Sequence, residues 1–241
     1  MTGAEWIAEK INSPSDFQGV DATVECDDVV LVQRSDKPDA YVGIVPTTPG
    51  DPTPVVSLDE ATDLRSQVPT MAMMIAIPRG ARWSGAAMRW LQSEGIAFGG
   101  VRDLLSAISH DVEMSAHRNK TFAFVDDGLR RHSRVADLEW IDSKKVEVHL
   151  RNDVTITVAL DDAYDITMSV ARDAARTLGN FDVLLKTNPN GSITSSGAEN
   201  VERLGFRTLR WGELFGYLAK QGGQAGYDDL RARLRRARAT K

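Results

Sequence analysis

Apolar and polar positions change period several times along the chain, and each change marks an element. Ala4 to Ile11 has the spacing of a short helix. Val29-Val-Leu-Val-Gln33 and Tyr41-Val-Gly-Ile-Val45 are β-branched runs closed by Asp, Lys-Pro and Pro-Thr-Thr-Pro-Gly, the punctuation expected around strands. Val55-Val56 predicts a brief third strand, and a helix follows from Asp59 with acids in its first turn, where the helix dipole favours them. Met71 to Ile77 is unbroken apolar sequence, the mark of a strand covered on both faces. After Pro78-Arg-Gly80 a helix is expected to present Ala86, Ala87, Trp90 and Leu91 on one face. A strand at Ile96 to Phe98 and a helix from Val101 to Ile108 complete the series.

The second half gives a similar series. His110 to Lys120 is polar and reads as a connection, with Thr121-Phe-Ala-Phe-Val125 entering the next sheet. Lys144 to Leu150 and Val154 to Leu160 alternate strictly across Arg151-Asn-Asp153, a hairpin signature. A helix is expected over Ala163 to Leu178, stopped by Gly179, then a buried strand at Phe181 to Lys186. Thr194 to Leu204 reads as helix, Arg207 to Leu209 as strand and Gly212 to Leu218 as the last helix.

Short blocks repeat in one order. Val55-Val-Ser-Leu-Asp-Glu-Ala-Thr-Asp-Leu64 lines up with Thr157-Val-Ala-Leu-Asp-Asp-Ala-Tyr-Asp-Ile166, and Met74 to Gly80 with Leu185 to Gly191. Ser84 to Ala87 falls on Ser195 to Ala198, Gly95-Ile96 on Gly205-Phe206, and Val101 to Leu104 on Trp211 to Leu214. A repeat of this length points to two copies of one small unit. The expected fold is α/β, a tandem duplication of a mixed-sheet unit in the order βββαβαβα, packed about a pseudo-two-fold axis. Its parts are residues 1–112 with the N-terminal helix, residues 121–220, and a basic tail over 221–241.

Composition adds limits. The 241 residues suit two domains, and 42% apolar with 26% charged residues is a globular balance. No run approaches a membrane span, no secretory signal is evident, and a cytoplasmic setting is expected. The single cysteine, Cys26, excludes an internal disulfide and a cysteine-rich zinc site. A net charge of −5 argues against a wholly basic nucleic-acid-binding surface, yet residues 231–241 hold six basic residues and no acid. Arg231, Arg233, Arg235, Arg236 and Arg238 could neutralise phosphates or an acidic protein partner; the plainer reading is a solubilising tail.

The element order, with Ile193-Thr194, Ala198, Gly205-Phe206 and Glu213-Leu214, resembles the restriction-endonuclease-like superfamily, its Mrr-like branch in particular. Ala86-Ala87, Gly95-Ile96 and Asp103-Leu104 resemble the same tail more loosely. The resemblance implies a metal-dependent nuclease ancestry, with an acid on the second strand and an acid or glutamine, one residue, then lysine on the third. The third-strand ends expected here, Val55 to Asp59 and Thr157 to Asp161, hold no such lysine. Val32-Gln33-Arg34-Ser35 resembles the start of the glutamine version, but serine stands at 35 and Lys37 lies past a turn. The resemblance therefore implies a catalytically degenerate protein that binds nucleic acid or a protein, in DNA processing or defence. It would need no cofactor.

Two alternatives stay open. In a rearranged nuclease, Asp161, Asp162 and Lys186 would be catalytic and Asp161, Asp162 and Asp165 would hold Mg or Mn. The other is an adaptor without a nucleic-acid role. The acids at 59, 60 and 63 and at 161, 162 and 165 also read as helix-start acids. Lys186, amid Val183, Leu184 and Leu185, must reach solvent or meet a carboxylate. The loops Pro78 to Gly80 and Asn188 to Gly191 lie where α/β proteins place ligands and also read as plain turns. The four histidines show no ligand spacing, and Asp126 to His132 reads as phosphate handling or as a solvated turn. Oligomeric state is left open.

Overall fold

In a computed structural model, residues 1–13, 17–46, 53–110, 112–195, 197 and 204–223 are described. The chain divides into two compact units, Met1–Ala123 and Phe124–Lys241. Each is mixed α/β around its own five-stranded sheet, and seven α-helices lie among the described residues.

The first unit opens with α1 (Gly3–Asn12), closed at its start by a capping box between Thr2 and Glu5. An antiparallel meander follows: β1 (Val20–Cys26), β2 (Val29–Arg34) and β3 (Lys37–Val45). The sequence reading missed β1, whose burial pattern is mostly exposed. β4 (Val55–Val56) is a strand as expected, but it pairs with β6 (Arg82–Trp83) in a separate two-stranded sheet. The third strand of the main sheet is β3 instead. Helix α2 (Leu58–Gln67) leads to β5 (Met71–Ala76), helix α3 (Gly85–Ser93) to β7 (Ala97–Gly100), and α4 (Val101–Ser109) closes the set. β5 lies between β3 and β7, parallel to both, which explains its continuous apolar run. Met73, Met74 and Ile75 are fully buried, each worth about 1.5–3 kcal/mol of apolar transfer. On α3 the buried face is Gly85, Ala87, Met88 and Leu91, while Ala86 is exposed and Trp90 half-buried.

α5 (Lys120–Arg130) stands where the sequence suggested a strand. Phe122, Val125 and Leu129 are buried and recur at helical spacing; a five-residue window was too short to show it. The second meander is β8 (Val135–Asp142), β9 (Lys145–Leu150) and β10 (Thr155–Asp161). The β9–β10 hairpin is as expected, with Asp153 at φ 62° in its turn. Then come α6 (Met168–Leu178), β11 (Val183–Lys186), β12 (Arg207–Arg210) and α7 (Trp211–Gln221). Gly128 on α5 lets the helix approach Trp211, since a Cβ there would sit 2.3 Å from the indole.

The two main sheets have the same strand order and the same pairing senses. β1-β2-β3-β5-β7 runs antiparallel, antiparallel, parallel, parallel, and so does β8-β9-β10-β11-β12. Helix caps agree as well: Ser57 and Thr167 cap α2 and α6, and Gly100 and Arg210 precede α4 and α7. Ser84 accepts from Ala87 N and Thr194 from Gly197 N, again three residues on. Each of these pairs stands 110 positions apart. Val56 pairs with Trp83 as Ile166 bridges Ile193, at the same spacing.

That correspondence corrects the sequence alignment. Ser84 answers to Thr194, not Ser195, and Leu58 to Leu64 answers to Met168 to Ala174. The acids at 59, 60 and 63 are on a helix, whereas 161, 162 and 165 end β10 and enter the loop beyond it. They are not a repeated motif. The expected helix from Ala163 begins only at Met168, because Ile166 is drawn into its bridge with Ile193 and Asp165 bonds Ser192.

Candidate functional site

The parallel strands of the second sheet end in a row of ionisable residues. Asp161 on β10 is registered against Lys186 on β11, and Lys186 against Arg210 on β12. Parallel neighbours in register point to the same face, so these groups gather at the carboxyl ends of the strands. The sequence named Asp161 and Lys186; Arg210 went unrecognised, because only strand pairing brings it alongside.

Lys186 is 4% exposed although charged. It does not reach solvent at an edge, and among the described residues it forms no ion pair with a carboxylate. Its Nζ donates to the carbonyls of Ala163 at 3.3 Å and Asn188 at 2.6 Å, and to that of Asn190. An ammonium has three protons, and these three bonds engage all of them. Burial depresses its pKa, the nearby Arg210 depresses it further, and Asp165 and Asp161 oppose both.

The surrounding loops are tied to the same hub. Asp161 Oδ1 accepts from Ala163 N at 2.8 Å, while its carbonyl accepts from Thr187 N at 2.8 Å. Asp165 Oδ1 accepts from Ser192 N at 2.6 Å and from the Ser192 hydroxyl at 2.9 Å. Asn188 donates to the Asp162 carbonyl at 3.2 Å and accepts from Asn190 N at 2.9 Å. Gly191, at φ 73°, is required: a Cβ there would lie 1.9 Å from the Tyr164 carbonyl oxygen. Burial raises the Asp161 pKa against the pull of the Ala163 N–H, Lys144 and Lys186, with Asp162 adding to the rise. The Ser192 backbone N–H, then its hydroxyl, lower that of Asp165.

Chemically this is a closed knot. The amides of Asn190 and Ser192, which an anion would need, are already donated within the loop. In the Pro78–Gly80 loop, Ala81 N closes on the Pro78 carbonyl at 2.9 Å. Asp161, Asp162 and Asp165 do not draw their carboxylates together. Among the described residues, the group of three ligand-type side chains whose donor atoms lie within 4.8 Å is Glu139, Glu147 and His149. The sequence missed that group. The alternation of β9 put Glu147 and His149 on one face, but Glu139 joins them only through the β8–β9 register.

The remaining candidates lie elsewhere in the chain. Glu60 completes a capping box with Ser57, accepting from its backbone N at 2.7 Å. Gln33 is on the second strand, so the glutamine pattern does not fall on the third. Asp126 to Arg130 is helix, not turn; Asp126 accepts from Trp140 Nε1 at 2.9 Å and from Arg130 Nε at 3.0 Å. Arg231, Arg233, Arg235, Arg236 and Arg238 lie outside the described residues. In the first unit the positions registered like Asp161, Lys186 and Arg210 are Val45, Ala76 and Gly100. The polar row exists once. No helix among the described residues is long and apolar enough to cross a membrane.

Fold and site together define a two-unit mixed α/β protein with a self-bonded polar cluster in its second unit. The chain matches no protein-family model, no curated protein and no solved structure.

Proposed function

We propose that this chain is a duplicated, restriction-endonuclease-like protein in which neither unit cuts, and that it acts by binding DNA through its basic C-terminal residues. The observation carrying the reading is the common strand order and pairing sense of the two sheets, with cap residues at one constant spacing. Three strands, then helix, strand, helix, strand and helix, is the order on which the nuclease resemblance rests. Loss of cleavage fits the residues. Neither third strand, Lys37–Val45 or Thr155–Asp161, carries an acid, one residue and then a lysine. The one buried lysine near that position has every proton engaged by backbone carbonyls. DNA is favoured over an acidic protein by the guanidinium-rich composition of residues 231–241, since arginine pairs phosphate oxygens bidentately.

The test has two arms. Purified full-length chain should leave linear and supercoiled DNA intact with magnesium or manganese. It should retard DNA with an affinity that falls steeply with salt and is lost when residues 231–241 are removed. Metal-dependent cleavage abolished by Asp161→Ala would overturn the first part in favour of a rearranged nuclease. Absence of DNA binding at low salt would overturn the second and leave the adaptor reading.

A further inference from the structure

A second cluster lies on the face of the β8–β9 ladder, away from the knot around Lys186. Glu139 on β8 stands directly across from Glu147 on β9, and His149 follows two residues on, hence on the same face. One donor atom from each lies within 4.8 Å of the other two. Carboxylates directly opposed across two strands repel, so the register is unfavourable unless something neutralises it. Among the described residues, the ion-pair contact made by these glutamates is with His149, whose Nε2 is 4.0 Å from Glu139 Oε2. That distance is too long for a hydrogen bond.

The imidazole is held from its other side. His149 Nδ1 is 3.0 Å from the hydroxyl of Thr155, its registered neighbour on β10. When Nδ1–H donates to that oxygen, the Nε2 lone pair is left on the side of Glu139. Metal-ligating histidines are oriented in this way, by a hydrogen bond from the nitrogen that does not bind the ion.

We propose that Glu139, Glu147 and His149 form a binding site for a divalent ion of the zinc and manganese class. Two carboxylates and an imidazole are the mixed oxygen and nitrogen donors these ions accept, whereas magnesium prefers oxygen alone. Ligands at about 2.0–2.2 Å from zinc stand roughly 3.0–3.6 Å from one another, which glutamate side-chain rotation reaches from the present spacing. Glu139 is exposed and the other two are half-buried, so water completes the coordination sphere. The ion would cancel the opposed charges and fasten the edge strand β8 to β9. Nothing in this set comes from the third strand, where the nuclease resemblance would put an acid and a lysine. The site therefore stands or falls independently of that reading.

Titration calorimetry of the chelator-treated full chain with zinc chloride, then manganese chloride, tests this. A single saturable site is expected, weakened at least ~10-fold in both Glu147→Gln and His149→Ala, with the far-ultraviolet circular dichroism of both variants unchanged. His110→Ala, which removes an exposed histidine elsewhere, should bind as the parent does. Failure to saturate, equal affinity in the His149→Ala variant, or equal loss in His110→Ala would each overturn the proposal. So would zinc-free His149→Ala unfolding earlier than the parent without any zinc binding by the parent, since His149 would then serve only to hold the strands together.

Discussion

Replacing Lys186 with methionine keeps the length and apolar stem of the side chain but removes the ammonium. Three carbonyls lose their donor: those of Ala163, Asn188 and Asn190. Asn190 is exposed and its carbonyl finds water, whereas Ala163 and Asn188 are half-buried. An unsatisfied buried polar group costs about 1–3 kcal/mol, and partial exposure puts these two near the lower end. Asp161, half-buried beside the lost charge, adds to the cost, while relief of burying an ammonium subtracts from it. The net expectation is a loss of about 2–4 kcal/mol from the second unit. Urea unfolding followed by tryptophan fluorescence and circular dichroism would measure it. Hydrogen exchange would localise it, through faster exchange at the Ala163, Asn190 and Ser192 amides that close the loops. A lysine held for chemistry behaves in the opposite way, since removing a buried charge from an active site usually leaves stability level or raised. A Lys186→Met protein within about 0.5 kcal/mol of the parent, with unchanged exchange at those amides, would refute the structural role.

Two further outcomes follow from the same loops. Gly191→Ala should cost roughly 2–4 kcal/mol, because a Cβ would press on the Tyr164 carbonyl and the left-handed backbone is itself strained; Gly95→Ala, left-handed but facing open space, should cost only about 1–2 kcal/mol in the same urea assay. Acid should open the Asp165–Ser192 link. The folded pKa of Asp165 is lowered, so its contribution is complete above the ordinary aspartate value of about 3.9 and lost as pH falls through the lower folded value. Asp165→Asn should flatten that acidic limb of the stability curve, and an unchanged limb would place the acid sensitivity elsewhere.

Most of the fold was legible because buried strands and capped helices leave local traces. The run from Met71 to Ala76 is apolar throughout because it is a central parallel strand, buried at every position but one. The β9–β10 hairpin was readable from strict alternation around Arg151 to Asp153. Elements without such a trace were missed or misread. β6 is two residues long, and α5 begins in a short apolar run, Phe122 to Val125, that fits a strand as well as a helix; β1 does alternate, from Val20 to Cys26, and was overlooked although its exposure left the pattern intact. The common element order of the two halves was legible, but the first pair of blocks was aligned on a chance likeness between Leu-Asp-Glu-Ala and Leu-Asp-Asp-Ala. The paired caps and ladders set the correspondence instead.

For the site, the sequence determined which groups must find partners: a lysine within an apolar strand, acids just after another, a glycine in a turn. Burial or backbone geometry makes each of those needs unavoidable, and residue order along the chain reveals them. Which partners they find was decided only by the tertiary structure. Strand register set Asp161 and Arg210 beside Lys186, loop closure brought three carbonyls to its ammonium, and the β8–β9 ladder carried Glu139 to Glu147 and His149. The parallel pairings of β10, β11 and β12 join segments far apart in the chain, and no local pattern encodes which of them lie side by side.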